Sequence, residues 1–227
     1  HNLYYGGNSA DEDTDAVYDS QGRLHVLWNG GAVMHHAVAQ DAQILDAGPS
    51  ETFGASSGSG SLAVGPDDRL HAVYVNFSGA ILYHQRDANG WGDDEQVGNG
   101  KRPMVAVDPA GAVYVAYLDA QGNAHVSQRR GFDDWDELDS FPAYSAEGQF
   151  PERVGLVAAG NNVLHVGLAT CTGAGPCGAT GSNGFVAYLP FCPGFQGTTC
   201  TPQCAGKVCG PDGCGGTCGT CPSGQSC

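Results

Sequence analysis

Apolar and polar residues alternate along much of this chain, and the alternation recurs in four comparable units. Each unit combines a short apolar strand, a polar turn and a second strand. The units cover Ala16–Trp28, Leu62–Tyr74, Val105–Tyr117 and Gly155–Leu168. A period of two is typical of β-strands with one buried face, because successive side chains point to opposite faces. No segment shows a helical period, so the sequence predicts an all-β protein.

A marker residue recurs in the second strand of each unit, at spacings of 46, 43 and 51 residues. The markers are His25, His71, Tyr114 and His165. A turn containing Gly then leads to a third strand, predicted over Ala32–Val38, Ala80–Arg86, Asn123–Gln128 and Phe185–Leu189. Repeats of this length with several strands are typical of propeller blades. The sequence therefore predicts a small β-propeller of four four-stranded blades over residues 1–191.

The fourth strands and the closure of the ring are predicted from weaker signals. Trp91 and Trp135 each begin a fourth strand, and Ile44-Leu45 stands at the equivalent place in the first unit. The fourth unit has none, so we expect the N-terminal segment Leu3–Tyr5 to pair beside its third strand and close the ring. A larger ring, of which this chain forms a part, is the alternative. The Gly/Ser-rich segment Gly54–Ser61 is predicted to be a flexible linker.

Residues 192–227 are predicted to form a second, disulfide-stapled module. Ten cysteines are present, and eight of them fall in this Gly-rich tail. The two cysteines before this tail are Cys171 and Cys177. The eight within it are Cys192, Cys200, Cys204, Cys209, Cys214, Cys218, Cys221 and Cys227. An even number of cysteines in such a segment indicates a disulfide framework formed in an oxidising compartment, with zinc binding as the alternative. Cys171 and Cys177 are expected to pair with each other.

Charge and hydropathy exclude two classes of partner. The formal net charge is −15, which disfavours nucleic acid and anionic membrane surfaces. No stretch of 18 apolar residues occurs, so we expect no membrane insertion. Together with the cysteine content, these features predict an extracellular or cell-surface protein.

Three segments resemble known families. The second unit, Ser61–Tyr74 and onward to Gly79–His84 and Trp91, resembles repeats of secreted bacterial propellers of the sialidase-like group. The Gly79–His84 step followed by Trp91 is also similar to repeats of propeller lectins, which implies sugar binding between blades on aromatic and His side chains. The run Cys209–Cys221 resembles cysteine-rich segments of exported myxobacterial surface proteins, which implies a location at the cell surface.

The lectin resemblance selects the candidate ligand-binding residues, which are Trp28, Tyr74, His84, Tyr117 and His125. Histidines recur at two repeat positions, which favours a structural role in each blade. His25, His71 and His165 share one position, and His35 or His36, His84 and His125 share another. Carboxylate and amide oxygens in a turn suit calcium, so Asp87, Asn89 and Asp93 are candidate Ca²⁺ ligands.

The functional prediction is an extracellular, non-enzymatic binding or surface-structural module. It would bind carbohydrate or another cell-surface ligand, or assemble with itself into a surface layer or filament. No catalytic residue is assigned. The alternative is a glycoside hydrolase of the sialidase-like group.

Overall fold

The structure is a computed structural model, and it describes residues 14–39, 50–141, 149–159, 163–172 and 184–191. Within these ranges the chain forms sixteen β-strands and no helix. The described part of the chain accordingly offers no helix that is long and apolar enough to cross a membrane. The all-β prediction is confirmed.

The strands form four antiparallel sheets that follow one another along the chain. The first sheet contains β1 (Asp15–Tyr18), β2 (Leu24–Gly30), β3 (Val33–Ala39) and β4 (Glu51–Ala55). The second contains β5 (Gly60–Val64), β6 (Leu70–Val75), β7 (Ala80–Asp87) and β8 (Gly90–Trp91), with β9 (Glu95–Asn99) also paired to β7. The third contains β10 (Lys101–Val107), β11 (Val113–Leu118), β12 (Ala124–Gly131) and β13 (Asp134–Phe141). The fourth contains β14 (Gln149–Ala159), β15 (Val163–Thr172) and β16 (Gly184–Phe191).

Consecutive sheets pack face to face through separate hydrophobic cores. Leu27 and Met34 of the first sheet meet Leu62 and Tyr74 of the second. The second core joins Val73, Ile81 and Tyr83 to Val105 and Val115, and the third joins Ala106, Tyr114 and Val126 to Val154 and Val166. The first strand of each sheet also lines one common cavity of about 430 Å³. The sheets therefore stand around a central channel, as blades do.

Two tyrosines fix the spacing between blades. Tyr74 and Tyr117 occupy the same position in the second strand of consecutive sheets, and each lies against a glycine in the outer strand of the sheet before it. A Cβ atom at Gly54 would lie 2.0 Å from the Tyr74 hydroxyl oxygen, and one at Gly98 would lie 2.2 Å from that of Tyr117. Only glycine allows this approach.

Most of the predicted strands are present, and one prediction is wrong. The predicted third strands correspond to β3, β7, β12 and β16, and Trp91 and Trp135 lie in outer strands as expected. The described outer strand of the first sheet is Glu51–Ala55, and Ile44-Leu45 lies outside the described residues.

The segment Gly54–Ser61 is not a flexible linker. Its ends belong to β4 and β5, and Ser56 between them is buried. The Ser56 hydroxyl and the Ser57 amide both donate to the Val75 carbonyl, at 3.2 and 2.9 Å. Small side chains let this connection pack closely against the next blade, which is why a Gly/Ser composition here does not mean flexibility.

Several predictions fall outside the described residues. They are the closing strand Leu3–Tyr5, Cys177, and the whole cysteine-rich module 192–227. Cys171 lies in β15. The disulfide framework, the domain boundary at 191 and the closure of the ring stay predictions.

Candidate functional site

Three of the five predicted ligand-binding residues are buried in the cores between sheets. Tyr74, His84 and Tyr117 are 0%, 5% and 5% exposed. The Tyr74 hydroxyl donates to Asp94 Oδ1 at 2.7 Å, and His84 Nδ1 lies 2.9 Å from the Gly92 carbonyl oxygen. These three side chains are packed inside the described chain rather than exposed on its surface. Sugar binding by them stays a prediction.

The other two predicted residues are partly accessible but belong to different sheets. Trp28 in the first sheet stacks on His35, and His125 in the third stacks on Tyr117, both with ring centroids 5.1 Å apart. In both pairs the two residues are directly opposite across neighbouring strands. His84 is opposite Ala72 instead, so it does not share the repeat position of His125 as predicted. The five predicted residues form no single site.

The candidate calcium ligands Asp87, Asn89 and Asp93 do lie around one cavity. The Asp87 carboxylate, however, accepts a hydrogen bond from the Asn89 backbone amide at 2.7 Å, which is the ordinary role of Asp in a turn. Among the described residues there is no group of three or more His, Cys, Asp or Glu side chains arranged to hold a metal ion. Calcium binding stays a prediction.

That cavity is a cleft of about 310 Å³ between the second and third sheets, and it combines aromatic, charged and amide side chains. Trp91 and Gln85 line it from the second sheet, and Arg129 and Phe132 line it from the third. Phe132 lies on the turn between β12 and β13 and is 64% exposed, so its ring is accessible from the cavity. We call this cavity the Trp91–Phe132 cleft.

A buried ion pair forms the base of the cleft. Arg129 Nε and Nη2 donate to the two carboxylate oxygens of Glu95, both at 2.8 Å. The backbone amide of Asp133 donates to the same carboxylate at 3.2 Å, and the Arg129 guanidinium lies 5.6 Å from the Tyr83 ring centroid. The bond to Glu95 raises the pKa of Arg129. This bidentate geometry holds the Arg129 guanidinium in one orientation.

The ring of Trp91 is fixed from behind by the first sheet. It stacks on Phe53 with ring centroids 4.1 Å apart and meets the edge of His36. Its indole Nε1 is buried and has no hydrogen-bond partner among the described residues. Trp91 therefore provides a rigid aromatic wall and a donor that no described protein group uses.

The same ion pair recurs one blade earlier. Arg86 Nε and Nη2 donate to the Glu51 carboxylate at 2.6 Å each, and Arg86 lowers the pKa of Glu51 to about 2. A second cavity of about 560 Å³ adjoins this pair and is lined by Arg23, Asp67, Asp68, Arg69, Arg86 and Asp87. Asp87 borders both cavities, so they are neighbours on one end of the molecule.

Sequence reasoning missed Glu95, Arg129 and Phe132. One signal was available: the two Glu–Arg pairs are separated by 35 and 34 residues, and they recur with the length of the repeat. The exposure of Phe132 had no signal, because an aromatic residue in a turn can equally point inward.

Comparison with known proteins was made on sequence and on structure. No protein-family model matches the chain, and no characterised protein matches its sequence. Solved structures do match. They include the Penicillium chrysogenum α-L-arabinanase complexed with arabinobiose (TM-score 0.53, 11% identity, 80% of this chain and 62% of that one). They also include the Fusarium graminearum α-L-arabinofuranosidase with arabinobiose (0.51, 11%, 78% and 61%) and an Aleuria aurantia lectin mutant with Fucα1-6GlcNAc (0.50, 12%, 80% and 64%).

The similarity to these three solved structures identifies the architecture of the chain. The fold is a β-propeller. At such low identities the similarity extends to the fold alone, and this propeller spans less than two thirds of the length of each of these three neighbours.

Proposed function

We propose that this propeller binds glycans in the Trp91–Phe132 cleft. The observation that carries the proposal is the combination of an exposed Phe132, a rigid Trp91 and an oriented Glu95–Arg129 pair around one cavity. The C–H face of a sugar ring is apolar and packs on aromatic rings, whereas its hydroxyl groups need both donors and acceptors.

The polar groups of the cleft match hydroxyl chemistry. Arg129 offers donors, and Gln85 offers both a donor and an acceptor. Because Glu95 already holds the guanidinium, little side-chain entropy is lost when a ligand contacts Arg129. The site is therefore largely formed before a ligand arrives.

The structural neighbours support the same class of ligand. One is a lectin solved with Fucα1-6GlcNAc, and two are enzymes solved with arabinobiose. A propeller that binds sugars without cutting them is consistent with the first of these, and an extracellular location is consistent with such a role.

The test compares two aromatic residues of equal exposure. Phe132 in the cleft is 64% exposed, and Phe77 in the β6–β7 turn is 66% exposed. A glycan array, followed by calorimetric titration of the best ligand, should give binding that Phe132→Ala weakens at least tenfold. Phe77→Ala should leave the affinity unchanged. No signal on any glycan, or equal losses in the two variants, would reject the cleft as a glycan site.

The hydrolase and the self-assembling module stay predictions. For Tyr74, which lies beside Asp94 and His84, burial raises the pKa, so its hydroxyl is protonated and is not a ready nucleophile. Fluorogenic glycosides test hydrolysis directly, and light scattering of the purified chain at high concentration tests assembly.

A further inference from the structure

Most carboxylates around the two cavities have a side-chain partner. Four have a guanidinium within 3.1 Å, namely Asp19 with Arg23, Glu51 with Arg86, Asp67 with Arg69 and Glu95 with Arg129. Asp68 accepts hydrogen bonds from Ser20, and Asp94 pairs with His84. Asp87 and Asp93 are different. Both are exposed at the rim of the Trp91–Phe132 cleft, and neither has a salt-bridge partner among the described residues.

The cleft consequently has an unbalanced charge. Glu95 and Arg129 cancel each other at its base, which leaves the two rim carboxylates as its net charge. The whole chain carries −15, so no distant excess of positive charge compensates them. A glycan with carboxylate or sulfate groups would be repelled, and a glycan with ammonium groups would be attracted.

We infer that the cleft prefers glycans with free amino groups, such as oligomers of glucosamine, and that Asp87 and Asp93 determine this preference. The inference rests on the proposed function and adds the class of sugar. Trp91 and Phe132 would contact the sugar ring, while the two carboxylates receive the ammonium group of the bound residue or of its neighbour.

The size of the preference follows from the exposure of the carboxylates. An exposed ion pair strengthens binding by no more than about fivefold, so two of them predict roughly a three- to tenfold preference. Salt screens such pairs, with a Debye length of about 10 Å at 0.1 M and about 3 Å at 1 M. The preference should therefore shrink as salt is added.

The experiment titrates the full chain with tetramers of glucosamine and of N-acetylglucosamine, at low and at high salt. The two ligands share the same sugar ring, and each of their four residues carries an amino group in one ligand and a neutral acetamido group in the other. We expect the glucosamine tetramer to bind three- to tenfold more tightly at low salt. The double variant Asp87→Asn, Asp93→Asn should remove that difference by weakening the glucosamine tetramer more than the acetylated one.

A control variant separates local from overall charge. Asp136→Asn removes a carboxylate that is 56% exposed on β13 and is absent from the lining of the cleft. It should leave the preference intact.

Each remaining outcome has a distinct meaning. Equal affinities for the two tetramers, or a preference that survives in the double variant, would overturn the inference while the glycan site stands. Failure of both tetramers and of every array glycan would remove the proposed function as well. Oligolysine that binds as tightly as the glucosamine tetramer, and equally well to Phe132→Ala, would show a general cation surface and also overturn it.

Discussion

His25 Nδ1 lies 3.0 Å from His36 Nε2 inside the first blade, with the two rings nearly parallel at 6°. The pair is bracketed by carboxylates: Asp19 lies 3.2 Å from His25 Nε2, and Glu51 lies 3.3 Å from His36 Nδ1. Three contacts need three protons, and two neutral imidazoles carry only two. When both rings are neutral, one of the three contacts therefore lacks a proton. We expect this to be the contact between His36 and Glu51, because it is the longest.

Acid should destabilise this propeller before its carboxylates are protonated. Burial lowers the pKa of His36 and of His71 to about 4 from the ordinary 6.5. Between these values the unfolded chain binds more protons than the folded one, so stability falls as the pH drops from 6.5 to 4. Each histidine accounts for up to about 3 kcal/mol of this loss. Urea unfolding at several pH values measures it.

The substitution His71→Gln gives the control for that pH dependence. It removes one of the two buried imidazoles, so the slope of stability against pH below 6.5 should drop by about half. A free energy of unfolding that stays constant from pH 6.5 to 4.5 would contradict the assignment of these histidines as neutral.

Gly98→Ala should weaken the boundary between the second and third blades. The new Cβ would lie 2.2 Å from the Tyr117 hydroxyl oxygen, so the tyrosine or the strand must move. We expect a loss of about 2 kcal/mol or more, as for overpacked cores. Gly167→Ala is the control, because its Cβ meets nothing within 4 Å. Equal melting temperatures for the two variants would show that Tyr117 does not fix the spacing of the blades.

Glu95→Gln should destabilise the protein far more than Asp136→Asn does. Glu95 is 4% exposed in its side chain and faces a guanidinium that is 22% exposed, whereas Arg130 and Asp136 are 48% and 56% exposed. Breaking the buried pair leaves a charge with poor solvation and costs about 3 kcal/mol. The exposed pair contributes well under about 1 kcal/mol. Thermal unfolding of the two variants measures how much stability each substitution removes. Similar losses of stability would show that the buried pair contributes no more than the exposed one.

The strands were predictable because burial leaves a period-two record in the sequence. Leu24–Gly30 carries apolar residues at alternate positions, whereas Val113–Leu118 is a short, continuous apolar run that is buried on both faces. Gly-containing turns limit the choice of strand boundaries. The outer strand Glu51–Ala55 is not predicted from the sequence, because it is short and carries Glu, Thr and Gly, which give no apolar alternation. Its pairing with β3 comes from the sheet and not from local preference.

The cleft was harder to predict than the strands. The lectin resemblance assigns Tyr74 and Tyr117 as ligand contacts, but both stand at a repeat position that the packing between blades uses. Phe132 and Arg129, by contrast, come together with Trp91 only when two blades pack side by side. A single sequence records which residues repeat, but not which repeated residues remain on the surface.

The most direct test is to follow the indole N–H signals of Trp28, Trp91 and Trp135 by NMR while a binding glycan is added. The Trp91 signal should shift in proportion to occupancy, because the Trp91 ring forms a wall of the cleft. The Trp28 signal, on the first blade, should stay in place. A titration in which Trp28 shifts and Trp91 does not would show that the glycan binds at Trp28 and not in the cleft.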